Sequence, residues 1–300
     1  MIALTLATVF NSGFAISIRF AQKRGANLTI VGISNYIVAF LLYTSLTIAN
    51  GLHLPHWETF VIGGFGGVMF SGTFFLLYEL MKQRGVSVTA AILGLSVLVP
   101  VGISLLAWGE SATLPQTFGI VAAIVSLPLL SVGPTPASVA EKKKRVIHLV
   151  LLAGVFILNG LALVAARAFH QTGVKDEDTI FLFFIFTSAT LTTCVVWAIQ
   201  EIRRRNIPKL GGRETNNKGS VLWGVLFGIV AGLCNAFTNR FIIASLYKLP
   251  GIIVYPFYSA VGLLLTVVFS RLAWKEKIRG VEATGMAFAF VSIILMNFVS

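Results

Sequence analysis

The stretch LLAWGESATLPQTFGIVAAIVS, residues 105–126, comes back as RLAWKEKIRGVEATGMAFAFVS, residues 271–292. A shift of 166 places lays Leu106-Ala107-Trp108 on Leu272-Ala273-Trp274, Glu110 on Glu276, Gly119 on Gly285 and Ser126 on Ser292. The same shift carries Gly66 to Gly232 and Gly85 to Gly251. One offset that holds from residue 66 to the C-terminus points to a duplicated chain, and a repeat of this length governs the architecture before any single element does. Each copy reads as an apolar helix, a short charged break containing Glu, and a second apolar helix with a Gly one turn in.

Composition identifies the medium around these helices. Of the 300 residues, 56% are hydrophobic and 11% are charged, and mean hydropathy is +0.88. A soluble domain is about one quarter charged, so this chain has too little polar surface to cover a particle in water. The runs are also too long and too evenly apolar for the short alternating strands of a barrel. The expected fold class is all-α and integral to a membrane. A net charge of +12 would raise nucleic acid as a partner in a soluble protein. Here the basic bias of cytoplasmic loops accounts for it, and no nucleic acid is expected. Cys194 and Cys234 lie inside apolar runs and suggest neither a disulfide framework nor a metal cluster.

A helical span needs about 20 mostly apolar residues. Ten are expected, near 2–20, 28–50, 59–81, 86–108, 115–133, 147–169, 179–200, 220–245, 250–273 and 280–299. The first reads as a retained span, because it has neither a basic start nor a small-residue cleavage site. Gly133-Pro134-Thr135-Pro136 and the charged run Glu141–Arg145 mark the midpoint. The expected organisation is a first five-helix repeat over 1–134, a basic linker over 135–146 and a second five-helix repeat over 147–300. An odd number of spans per half makes the second half enter from the opposite face, so the five-plus-five repeat is inverted. Asn11 and Arg19 match Asn159 and Arg167 at an offset of 148, and an 18-residue insertion in Glu201–Lys218 accounts for the change to 166. All but four of the 23 Lys and Arg (Arg167, Lys175, Arg240 and Lys248) fall in or beside the loops after odd-numbered spans. That places those loops in the cytoplasm and both termini outside.

Polar side chains within spans are costly in a bilayer and tend to face a cavity or a partner helix. Asn11 and Asn159 occupy matching places in spans one and six, and an inverted repeat brings such a pair together near the midplane, where substrate sites form. Arg19 and Arg167, each eight residues further on, would then stand toward opposite mouths. Snorkelling Arg and helix-bonding Asn are the structural alternative. Span eight is the most polar, with Asn235, Asn239 and Arg240, and its Gly224, Gly228 and Gly232 at four-residue spacing read as a close-packing seam. Tyr255 and Tyr258 flank Pro256 in span nine and are candidates to line a pathway. Glu79, in span three, could pair with Lys82, gate with Arg19 or carry a proton. Glu110 and Glu276 read as structural, capping the helices that follow.

Ten spans, a five-plus-five inverted repeat, and the motifs Ala107-Trp108-Gly109-Glu110 with Gly119 and Ala273-Trp274-Lys275-Glu276 with Gly285 resemble the drug/metabolite transporter superfamily, in its EamA-type branch. The resemblance implies a secondary transporter in which spans one to four and six to nine enclose a central cavity, while spans five and ten pack outside. It also implies cytoplasmic termini, opposite to the charge count. Pro100 lies about a turn later than the usual proline of the fourth span, and Thr266 occupies its counterpart.

No Ser/His/Asp arrangement, phosphate-cradling Gly loop or ATPase motif is present, so no enzyme activity, catalytic residue, cofactor or metal is expected. The expected function is alternating-access permeation of a small anionic or zwitterionic solute, such as an amino acid, organic acid or phosphorylated metabolite, by proton coupling or exchange. Substrate contact falls to Asn11, Asn159, Arg167, Asn235, Asn239, Arg240, Tyr255 and Tyr258, and gating or coupling to Arg19 and Glu79. A flippase for a lipid-linked intermediate and a non-transporting scaffold or receptor are the alternatives. The expected site of action is the plasma (cell inner) membrane. The partners are the solute and membrane lipids, and a monomer suffices although a dimer is compatible.

Overall fold

Glycine and proline decide where these apolar runs bend, and capping groups decide where they start. The structure, a computed structural model, describes residues 2–51, 54–107, 113–131, 139–172, 174, 176–206, 218–248, 251–275 and 280–295. The helices are α1 (Ile2–Lys23), α2 (Leu28–Ala49), α3 (Trp57–Leu95), α4 (Leu98–Ala107), α5 (Leu114–Ser131), α6 (Val139–Gln171), α7 (Asp178–Asn206), α8 (Lys218–Leu246), α9 (Gly251–Trp274) and α10 (Gly280–Leu295). Among the described residues there is no strand. Among the described residues, seven helices (α1, α2, α3 and α6 to α9) are long and apolar enough to cross a membrane, consistent with a multi-pass protein.

Helix α2 starts at Asn27, whose side chain accepts from Thr29 N at 2.9 Å and Ile30 N at 3.3 Å, occupying donors that the first turn leaves open. The first turn of α3 is capped from elsewhere in the chain. His56 at its N-cap makes no side-chain cap bond, and the Glu177 carboxylate accepts from His56 N and Thr59 Oγ1 instead.

Separate spans are expected over 59–81 and 86–108, whereas α3 runs through both and bends at Gly85 (φ 80°, ψ 177°). A positive φ is open to glycine without a Cβ clash, so the chain turns there and resumes helix at once. The helix then breaks at Ser96–Val97, one turn before Pro100. Pro100 has no N–H to offer Ser96 O, which accepts from Val99 N at 3.1 Å in a tighter turn. Helix α6 begins at Val139, inside the expected linker 135–146, because the Glu/Lys/Arg run 141–145 consists of good helix formers. Likewise α7 continues to Asn206, into the segment expected as an insertion. Trp108, Gly109, Glu110 and Glu276 lie outside the described residues.

The most extensive pairings all join a helix before residue 132 to one after residue 138. Helix α1 lies on α8 and α3 on α6; α2 packs on α8 and α7 on α3; α2 meets α7, and α5 pairs with α10. The glycines expected to form a seam do so. A Cβ at Gly228 would stand 2.9 Å from Val31 O, and one at Gly232 would stand 2.5 Å from Asn35 O, both on α2. Gly63 and Gly67 likewise bring α3 close to Phe181 O and Ile185 O of α7, most tightly at Gly67. Ser188 Oγ closes the second seam by donating to Gly64 O at 2.7 Å. In the α5–α10 pair, Ser292 Oγ donates to Gly119 O at 2.6 Å, so two positions from the repeated stretch bond across it.

Candidate functional site

A cavity lies between α1, α2, α3, α6, α8 and α9, with about 100 Å³ open to the centres of water molecules. One water needs about 10–15 Å³ of such space, so the cavity holds several waters or a small solute. Asn11, Asn159, Asn235, Asn239 and Tyr258 all line it. Three of these helices contribute a stripe at helical spacing: Asn11, Phe14 and Ala15 from α1; Phe70, Thr73, Phe74 and Leu77 from α3; Asn235, Thr238, Asn239 and Ile242 from α8. Positions i, i+3, i+4 and i+7 share one helix face.

The amides are joined to their neighbours to different degrees. Asn239 Nδ2 donates to Asn235 Oδ1 at 3.0 Å and Asn235 O at 2.9 Å. Asn235, buried, reaches Asn35 Oδ1 on α2 at 3.5 Å. Asn159 Nδ2 donates to Ser96 Oγ at 2.5 Å, at the α3–α4 break, where Gly160 lets α6 approach to within van der Waals range of Val99. Tyr36 Oη, also on the cavity, donates to Phe70 O at 2.8 Å.

The other expected residues stand elsewhere. Neither Arg167 nor Arg240 lines the cavity: Arg240 is exposed on α8 and Arg167 half-buried on α6. Tyr255 falls on α9, with its side chain outside the described set. Arg19 donates to Met81 O at 3.1 Å and to Gln22 Oε1 at 3.0 Å, and Gln22 Nε2 donates to Tyr78 O at 2.7 Å. These bonds tie the end of α1 to α3 just before the Gly85 bend, where a cation suits the carbonyl end of the straight segment. Glu79 accepts from Gln83 Nε2 at 2.8 Å and, among the described residues, forms no ion pair; the expected gate with Arg19 is not closed in this conformation. Among the described residues no cluster could hold a metal ion, and both cysteines are free.

Sequence reasoning missed Phe14, Phe70, Phe74, Thr238 and Ser259 as lining residues. Extending a 3.6-residue stripe from each buried Asn finds Phe14 and Thr238 directly. The α3 aromatics carried no polar marker in the sequence, so nothing set them apart from lipid-facing residues.

A second polar cluster lies outside the spans. His56 Nδ1 and Glu177 Oε1 are 2.7 Å apart, and Glu177 is buried while His56 is exposed. Its bond to Glu177 and the adjacent negative charge raise the His56 pKa above the ordinary value. Burial pushes Glu177 up, but bonds from Thr59 and His56 outweigh it and hold the carboxyl below its ordinary range. Nearby in the chain, Tyr247 Oη donates to Asp178 Oδ1 at 2.7 Å, and burial with that bond pushes the phenol up to about 12.

No family model matches the chain. An uncharacterised protein of Haemophilus influenzae is 22% identical over 237 residues, covering 77% of this chain and 73% of its own. A chain of a crystal structure is similar in fold, with a TM-score of 0.59 and 15% identity, over 98% of this chain and 97% of that one.

Proposed function

We propose that the chain is a secondary transporter of the drug/metabolite transporter superfamily, EamA type, that carries a small solute across the plasma membrane by alternating access. The observation behind the reading is the cavity itself, which draws Asn11 and Asn159 from matching places in the two halves and adds Asn235, Asn239 and Tyr258. Transporters with inverted repeats bind their solutes at such an interface between halves.

The packing supports ten spans in an inverted repeat. Exchanging each helix for its counterpart five places on turns α1 on α8 into α6 on α3, and α2 on α8 into α7 on α3. Helices α5 and α10, which bear the repeated stretch, pair with each other, and none of their described residues lines the cavity. The expectation of an anionic or zwitterionic solute rested on Arg19, Arg167 and Arg240, and recognition falls instead to amides and hydroxyls, because none of the three lines the cavity. Translocation is driven by a proton gradient or by exchange and involves no covalent step.

The reading is tested by thermal-shift screening of the purified protein against amino acids, organic acids, nucleobases and sugars, since a ligand that binds only the folded state raises its melting temperature. A solute that stabilises the wild type is expected to exchange in proteoliposomes, and Asn235→Ala is expected to weaken both effects about tenfold. A solute that binds the cavity and is never translocated overturns the proposal.

A further inference from the structure

The matching amides Asn11 and Asn159 meet different partners. Asn159 spends its amide N–H on Ser96 Oγ. The repeat shift of 166 carries Ser96 to Gly262. Gly262 is what Asn11 faces: a Cβ there would lie 3.3 Å from Asn11 Nδ2. Where one half supplies a hydroxyl, the other supplies nothing, and Asn11 makes no hydrogen bond among the described residues.

The Thr238 hydroxyl on the same cavity is buried and without a partner. Those of Tyr258 and Ser259, also in the lining, have none among the described residues. A native interior rarely leaves so many hydrogen-bonding groups unused, and such groups ask for an unseen partner. All of them stand on α1, α8 and α9. The lining from α3 and α6 is apolar apart from Thr73 and Asn159, and both of those are already bonded within the protein. Its large members are Phe70, Phe74, Leu77, Leu93 and Leu163. Among the described residues, no Asp, Glu, Lys, Arg or His lines the cavity.

We infer that the cavity takes an uncharged amphiphile, with an amide or hydroxyl end bonded by Asn11, Thr238 and Tyr258 and an aromatic or branched-aliphatic body against α3 and α6. The inference rests on the transporter reading above and narrows its solute class. An ionised group moved from water into a lining without an opposite charge loses more solvation than neutral hydrogen bonds restore. A neutral amide or alcohol gives up far less, and here it finds donors and acceptors already free.

Three matched probes, phenylacetamide, phenylacetate and acetamide, separate ring, polar end and charge in calorimetric binding to the purified full-length protein. Phenylacetamide is expected to bind at least about tenfold more tightly than either of the others. Asn11→Ala is expected to weaken it about tenfold. Gly262→Ser, which offers Asn11 the hydroxyl that Ser96 offers Asn159, is expected to weaken it similarly while leaving every cavity amide in place. Equal or tighter binding of phenylacetate overturns the inference, as does binding of none of the three or wild-type affinity in both variants. Exchange of phenylacetate in proteoliposomes would meanwhile leave the transporter reading standing. Binding of phenylacetamide with no exchange of any solute would instead overturn transport and keep the ligand class.

Discussion

Glu177 caps a helix other than its own. It leads into α7, yet its carboxylate serves the first turn of α3, whose own N-cap residue, His56, does not. Glu177→Ala is expected to cost about 1 kcal/mol, the usual penalty for a lost cap, read as a lower melting temperature in detergent. The pair also gives stability a pH signature. The lowered Glu177 value means its contribution is complete above the ordinary 4.5 and is lost as pH falls through the lowered value. The raised His56 value means its contribution is complete below the ordinary 6.5 and is lost as pH rises through the raised value. Both are complete between pH 4.5 and 6.5. Wild type and His56→Ala are therefore expected to differ most in that window and to converge at alkaline pH. A constant difference across the range would assign the effect to packing. At this scale the sequence was partly legible. Amides within apolar runs stand out, so Asn11, Asn159, Asn235 and Asn239 could be singled out. Arg167 and Arg240 stood out for the same reason, but charge reveals only that a residue is costly in lipid, not which way it faces.

Between helices, two seams of small residues set how closely the bundle closes. Gly67→Ala would push a methyl against Ile185 O and Ser188 Cβ, and Gly228→Ala would put one 2.5 Å from Ser34 Cβ. Each is expected to destabilise by about 1–3 kcal/mol, the range for overpacking. Gly64→Ala, with nothing within 4 Å of its Cβ, is expected to be neutral. Denaturation of the three variants in one detergent checks the ordering, and equal losses would remove the seam from the account. The four-residue glycine spacing made the α8 seam readable, because it marks one face of a helix. The continuity of α3 was not readable. Gly85 looked like a terminator, and only its backbone angles distinguish a bend from an end. Nor did the sequence show that the charged run after residue 140 would join α6, since apolar length fixes where a helix is buried and not where it stops.

As a whole, the molecule has no half that stands alone. Helix α1 leans on α8, α3 on α6 and α7, and α5 on α10, so each half finds most of its packing in the other. Residues 1–134 or 135–300 expressed alone are expected to aggregate or be degraded, while co-expression is expected to restore a complex that co-purifies at the mass of the intact chain. A stable, monodisperse single half would contradict this. The shift of 166 places was the most legible feature of the sequence, yet similarity between segments did not show which helices touch. The α1–α8 pairing also has a consequence in time. About 200 residues separate the end of α1 from the start of α8, and chains grow at about 5–20 residues per second. For tens of seconds during synthesis, α1 spans the bilayer with its permanent neighbour unmade. It can wait because a helix satisfies its own backbone in lipid. Throughout that interval Asn11, three turns into α1, has neither α8 nor α9 beside it, so the residue proposed to greet the solute meets its cavity partners only when synthesis is nearly complete.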